Sequence, residues 1–270
     1  MDKTSLGDRM KGYENIERRY LPRRMDTIIR IDGKAFHNYT KGFDEPYDKS
    51  FLTCMEMTAK DLCENIEGVK LAYTQSDEIS LLLTDNETID TQPWFGKNIQ
   101  KMVSVAASLA TFYFNRHVQD AFASAHAGNA DFDGTWASAG LEKAYIDDRL
   151  AVFDARVFVL PHEEVLNYFE WRQQDCTRNS IQSAGQTYFS HKQLNYKSGT
   201  DIQLMLFKEK DINWNDYPNF FKRGVCVIKR PRLVQTPEGE WVERNKWVID
   251  FEIPIFHQQP NYINNLINWN

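Results

Sequence analysis

Apolar residues recur at Leu6, Met10, Tyr13, Ile16 and Tyr20 with charges between them, and Pro22 closes the segment. That spacing predicts an amphipathic helix over about residues 4–20. The apolar run Thr27-Ile28-Ile29-Arg30-Ile31 then predicts a short strand, ending on a carboxylate and a sharp turn at Asp32-Gly33-Lys34. The next loop, Phe36 to Tyr39 and Gly42 to Tyr47, is too aromatic for a plain linker. From Lys49, the residues Leu52, Met55, Ala59, Leu62 and Ile66 lie on one face of a helix that Gly68 ends. Val69 to Thr74 and Ile79 to Thr84 read as two strands of a hairpin, with Gln75-Ser76-Asp77-Glu78 where it turns.

After a polar loop through Gln92-Pro93, a long helical pattern runs from Trp94 to about Ala125, through Ile99, Met102, Val103, Ala106, Ala110, Tyr113, Phe114 and Val118. Small residues along it, Ser104, Ala106, Ala107, Ser108 and Ala110, allow close packing on a sheet. The stretch from His126 to Asp148 is rich in Gly, Ala, Asn and Asp and reads as an insertion or lid-like loop. Ala151 to Leu160 predicts a strand, and Pro161 opens a helix through Asp175. From Cys176 to about Lys210 the chain is polar with helical spacing, with Ser190 as a cap. Phe220 to Lys229 and Trp241 to Ile253 read as two more strands, separated by a turn around Pro237-Glu238-Gly239. This order describes an α+β or mixed α/β layered fold, strands in one sheet with helices on a face, which leaves the other face for a substrate. No linker cuts the chain, so 1–150, with the N-terminal helix, and 151–270, with the remaining strands and helices, are expected to form one continuous domain.

Composition changes this picture little: 42% hydrophobic and 26% charged residues are near the soluble average, although 13% aromatic is high. Apolar runs break well before the roughly 20 residues a membrane span needs, so no span is expected. The first ten residues lack the apolar core of a secretory signal, which makes the cytoplasm the expected compartment. Cys54, Cys63, Cys176 and Cys226 lack zinc-site spacing and are expected as free thiols. The net charge of −6 argues against non-specific coating of nucleic acid. Two runs are nonetheless basic: Arg18, Arg19, Arg23, Arg24, Arg30 and Lys34, and then Lys222, Arg223, Lys229, Arg230 and Arg232. Each fits either a polyanion surface or a solvated charged face.

If the first strand and the hairpin are neighbours, Asp32 and Asp77 can share a cation. Two carboxylates plus a backbone carbonyl are hard oxygen ligands suited to magnesium, which keeps waters and takes further ligands from phosphates. Two such ions about 4 Å apart activate an attacking hydroxyl and stabilise a leaving pyrophosphate oxygen, which is nucleotidyl-transfer chemistry. Gly33 lets a carbonyl or phosphate approach the backbone, and Lys34 can reach a phosphate as a point charge. Asp-Gly and Ser-Asp-Glu are equally ordinary turn sequences, and spacing alone leaves both readings open.

At these residues the chain resembles the histidine-tRNA guanylyltransferase family, and within it the guanylyltransferase-like branch of reverse polymerases. The resemblance rests on five blocks in the family's order: Arg30-Ile-Asp-Gly-Lys-Ala-Phe-His37, Ala72-Tyr-Thr-Gln-Ser-Asp-Glu-Ile-Ser80, Phe153-Asp-Ala-Arg156, Trp171-Arg-Gln-Gln-Asp-Cys176 and Lys222-Arg-Gly224. It implies an antiparallel sheet like that of polymerase palms and nucleotide cyclases, with helices on one face and a C-terminal extension. It implies two magnesium ions on Asp32, the Gly33 carbonyl and Asp77, with Glu78 also needed for activity. The nucleotide would be wrapped by Asp32, Gly33, Lys34, Ala35, Phe36 and His37 together with Ser76 and Asp77. The implied reaction adds nucleotides to the 5′ end of tRNA. ATP or an existing triphosphate activates that end, and the 3′ hydroxyl of incoming GTP or another nucleotide attacks it. The resemblance also points to a homotetramer.

Two departures refine this. After Cys176 the eukaryotic enzymes that add guanosine to histidine tRNA carry His-Ile-Asn-Asn-Leu-Tyr-Asn. This chain has Thr177-Arg178-Asn179-Ser180-Ile181-Gln182-Ser183, keeping the first Asn and lacking the His. That favours templated repair of truncated tRNA over histidine-tRNA guanylylation, with a non-catalytic nucleotide- or tRNA-binding protein as the third reading. Glu45 stands where the family has a basic residue near the triphosphate, so Lys41, or Lys97 and Lys101, are expected there. RNA contacts are expected at Arg156, Arg172, Asn179 and Lys192; Arg156 can instead pair with Asp154, and Trp171 is expected in the core.

Overall fold

The computed structural model describes residues 4–127, 137–236 and 239–267. Its strands are β1 (Asp26–Gly33), β2 (Val69–Gln75), β3 (Glu78–Leu83), β4 (Phe153–Leu160), β5 (Val225–Gln235) and β6 (Trp241–Asp250). Among the described residues they form one six-stranded sheet in the order β4-β1-β3-β2-β5-β6, antiparallel at every pairing, with strands from both sides of residue 150. Around it lie α1 (Ser5–Ile16), α2 (Phe36–Tyr39), α3 (Lys49–Asn65), α4 (Ile99–Ala127), α5 (Ala139–Ile146), α6 (Val165–Tyr188), α7 (His191–Leu194), α8 (Gly199–Lys210), α9 (Asn219–Arg223) and α10 (Asn261–Ile267).

Alternation along the strands assigns the faces. Ile29 and Ile31 of β1, Ala72 of β2 and Ile79 and Leu81 of β3 are fully buried against α3 and α4. Ala106 and Ala110 of α4 are fully buried there, as the small-residue stripe predicts. Ile28, Leu71, Tyr73, Leu82, Cys226 and Ile228 point the other way, onto Val165, Tyr168 and Phe169 of α6 and onto Ile253, Phe256 and Ile263. The second face is therefore covered over most of its length rather than left free. It is open at the end where Asp32 keeps 30% side-chain exposure and Asp154 54%.

Several elements differ from their sequence expectation. α6 does not stop at Asp175 but continues to Tyr188, where Ile181 and Ala184 pack on Leu194, Ile202, Leu206 and Trp214. The strand expected from Phe220 starts only at Val225, because α9 occupies Asn219–Arg223. Within the expected loop after His126, α4 runs to Ala127 and α5 forms behind the Ser138 cap; residues 128–136 of that stretch lie outside the described residues. Pro237 and Glu238 of the expected turn also lie outside them. α1 ends at Ile16 and buries none of its residues, so Leu6, Met10, Tyr13 and Ile16 form an exposed stripe. All four cysteines are buried free thiols, and no described helix is long and apolar enough to cross a membrane.

Candidate active site

The pairing register carries the chemistry. Asp32 sits directly opposite Glu78 of β3 on one side and Asp154 of β4 on the other, all on the sheet face that α6 covers. Between β2 and β3 the chain turns in two residues, with Ser76 in the left-handed region at φ 47°. The Gly33 N–H donates to the Asp77 carbonyl at 3.0 Å, which fastens the hairpin turn to the end of β1. A side chain at Gly33 would collide with the Phe36 ring, so the close turn requires glycine there.

The carboxylates differ in their surroundings. Glu78 is buried and accepts Arg30 Nη2 at 2.6 Å and Arg172 Nη1 at 3.2 Å on the same oxygen. Burial raises its pKa, and the two guanidiniums, Arg172 first, pull against that rise. Among the described residues Asp32 has only long ion pairs, to Arg156 at 3.7 Å and Arg30 at 3.9 Å. Burial also raises Asp77, and the charge of Asp32 adds to the rise. Two carboxylates that repel each other beside a backbone carbonyl fit a divalent cation. Among the described residues no three His, Cys, Asp or Glu side chains gather as a metal cage. Asp32, Asp77 and the Gly33 carbonyl would leave the remaining ligand positions to water and substrate oxygens, the coordination magnesium favours.

Beside this turn opens a cavity of about 280 Å³, lined among others by Tyr47, Gln75, Ser76, Asn179, Ser183 and Phe221. Tyr47 packs on Phe221 at 4.8 Å between ring centroids. Among the described residues Gln75 Oε1 is buried with no hydrogen-bond partner. The sequence pointed to this cavity through Ser76 and Asn179 and through the aromatic density of the loop before Tyr47. Phe221 was hidden because its segment reads as strand.

The expected nucleotide and RNA residues separate into groups. Lys34, Ala35 and His37 are exposed on the turn after Gly33, where the Lys34 N–H donates to the Val152 carbonyl at 2.8 Å and Ala35 takes φ 54°. The Phe36 ring is a correction: it is buried among Tyr39, Phe51, Phe114 and Phe153, so only its backbone faces the turn. Lys97 is a second correction. It is 2% exposed, donates to the Pro22 and Met25 carbonyls at 2.9 and 2.8 Å, and pairs with Asp85 at 2.9 Å. That places it at the start of β1, about 20 Å of strand away from Asp32. Lys101, over the Phe95 ring at 5.8 Å, is one helical turn further on. Lys41, whose carbonyl accepts from Arg149, lies in the chain between Thr40 and Phe43, which line the cavity.

Arg172 is a third correction. Only 2% exposed, it joins Glu78 to Asp175 and stacks on Trp171 at 3.9 Å, so it is a strut within the site rather than a surface for RNA. Trp171, expected in the core, is 47% exposed. Arg156 lies between Asp32 and Asp154, 3.3 Å from the latter. Asn179 is exposed at the cavity, and Lys192 is exposed on α7 beyond the far end of α6. Lys222 of the second basic run is buried against Trp214 and donates to the Asn215 carbonyl.

Residues 7–161 match the model of the Thg1 family, tRNAHis guanylyltransferase. The tRNA(His) guanylyltransferase of Debaryomyces hansenii is 30% identical over 217 residues, covering 75% of this chain and 72% of that protein. The Schizosaccharomyces pombe enzyme is 29% identical over 256 residues, 88% of this chain and 83% of its own. Among solved structures, a bacterial tRNA(His) guanylyltransferase-like protein in complex with ATP superimposes with a TM-score of 0.82 at 42% identity, covering 98% of this chain and 100% of the other. The Saccharomyces cerevisiae enzyme, at 21% identity and TM-score 0.62 over 92% of this chain and 98% of its own, shares the fold. The chain therefore belongs to the tRNA(His) guanylyltransferase family, and it is a nucleotidyltransferase.

Proposed function

We propose that this enzyme rebuilds truncated tRNA 5′ ends by templated, magnesium-dependent addition in the 3′-to-5′ direction. The observation that carries the reading is the meeting of Asp32 and Asp77 at the open end of the sheet, joined through the Gly33 N–H. Asp32, Asp77 and the Gly33 carbonyl would hold the metal. Bound there, magnesium would activate the attacking hydroxyl and neutralise charge on the departing phosphate oxygens.

The chain's own groups do the rest. Ala35, in the left-handed region, begins a turn whose successive backbone N–H groups suit phosphate oxygens, with the exposed Lys34 ammonium beside them. The cavity beside Ser76 takes a base between aromatic rings and the polar groups of Gln75 and Asn179. Arg172 fixes Glu78, and Glu78 fixes Arg30, which keeps a cation 3.9 Å from Asp32 without displacing it. The 3′ hydroxyl of the incoming nucleotide attacks the activated 5′ phosphorus, and pyrophosphate or AMP leaves. The bacterial relatives are described in complex with ATP and with GTP, which suits ATP as activator and GTP among the added nucleotides. The exposed apolar stripe of α1 supports assembly into a tetramer.

Addition of one guanosine to histidine tRNA is the second reading, favoured by the names of the fungal relatives. Templated repair is favoured by the Thr177-Arg178-Asn179 segment, which lacks the histidine of that enzyme type, and by 42% identity to the bacterial guanylyltransferase-like protein. A purely binding role is disfavoured by the complete set Asp32, Asp77 and Glu78. A tRNA lacking its first nucleotide, offered each of the four nucleotides singly, separates the readings. Addition that follows the opposing base supports repair; guanosine regardless of that base supports the second reading.

A further inference from the structure

β2 pairs with β5 only from Thr74↔Val225 to Leu71↔Ile228. From Lys229 onward β5 is paired with β6 alone, so the two strands leave the sheet as a two-stranded arm. In its register Arg230 stands opposite Lys246 and Arg232 opposite Arg244. Directly opposed residues share a face, and so do residues two apart along a strand. These four cations therefore form one block, and all four are exposed. Among the described residues only Arg230 has an acidic partner, Asp250 at the base of the arm, at 2.8 Å. Glu243 is opposite Leu233 on the other face, where Lys229 covers the Trp247 ring at 4.9 Å.

This arrangement works against the fold. Like charges directly opposite one another destabilise a strand pair, and a lone two-stranded ribbon is marginal to begin with. On a chain with net charge −6, four converging cations form a strong local field of opposite sign. Their position adds direction. The register carries the Asp32 and Arg30 face of β1 through Ser80, Tyr73 and Cys226 to Arg230 and Arg232, so the block lies on the face of the sheet that carries the catalytic carboxylates. Strand rise and spacing put Arg232 about 30 Å from Asp32, close to one turn of a nucleic-acid helix.

We propose that Arg230, Arg232, Arg244 and Lys246 dock the phosphate backbone of the RNA substrate, about one helical turn away from the 5′ end that sits at Asp32. This rests on the reading of the enzyme as one that acts on tRNA, and it adds the surface that holds the RNA.

The test uses the full-length double variants Arg232→Glu/Arg244→Glu and Arg232→Gln/Arg244→Gln; the second relieves the repulsion and so folds at least as well as wild type. Affinity for a 5′-truncated tRNA is measured across a salt series, with nucleotide addition at saturating RNA and sedimentation alongside. The expected result is a loss of affinity of roughly tenfold or more, and a salt slope about 1–2 smaller in magnitude. KM rises, while kcat at saturation and the assembly state stay unchanged. Unchanged affinity and slope overturn the proposal and leave the activity intact. A changed assembly state also overturns it, assigning the face to contacts between copies. A wild-type enzyme that binds tRNA through this face without adding nucleotides overturns the activity and supports the arm.

Discussion

At the residue scale the site is held by charges that are not on the surface. Glu78 is a supporting carboxylate in sequence terms, but its partner Arg172 lies 94 positions away and is buried with it. Removing one partner of a buried pair leaves the other charge uncompensated. Arg172→Met should therefore cost about 3–5 kcal/mol, read as a lower denaturant midpoint. Adding Glu78→Gln should recover part of that loss. An RNA contact at Arg172 would instead leave the midpoint unchanged and weaken tRNA binding. Asp32 and Asp77 were legible because a strand ending in a carboxylate and a hairpin turning on one are local patterns. The burial of Lys97 and Arg172 was not, since charged residues default to the surface and their partners Asp85 and Glu78 are brought by tertiary contacts.

At the scale of elements, periodicity located β1 to β4, α3 and α4 close to their observed bounds. It failed at α9, because Phe220-Phe221 before Val225-Cys226-Val227-Ile228 reads as one apolar strand. The stop signals were Pro218, which caps α9, and Gly224, which ends it at φ 75° and ψ −168°. That backbone region is essentially reserved for glycine. A Cβ at Gly224 would also lie 2.5 Å from the Thr74 carbonyl oxygen. Gly224→Ala should cost at least about 1–3 kcal/mol from the backbone alone, measured as a lower urea midpoint with an unchanged slope. A wild-type midpoint would mean that β2 and α9 do not meet as closely as this geometry requires. The arm has the same lesson: basic residues in one run were visible, but their union with Arg244 and Lys246 depends on register, which is long-range.

At the scale of the whole molecule, the family and its sheet were legible from five ordered sequence blocks, whereas the covering of the second face by α6 and the C-terminal segment was not. α1 remains a helix with an apolar stripe and no buried residue, which a lone chain has no reason to keep. Sedimentation should give a species several times 31.7 kDa, shifted toward that mass by Met10→Glu/Tyr13→Glu; a wild-type species at 31.7 kDa would remove the assembly. The most direct measurement of the central claim is label incorporation at the 5′ end of a truncated tRNA in magnesium, by the wild type and by Asp77→Ala in parallel. The expected result is base-directed addition by the wild type and a loss of at least about 10²–10³ in rate for the variant, with tRNA binding retained. Near-wild-type addition by Asp77→Ala would contradict it.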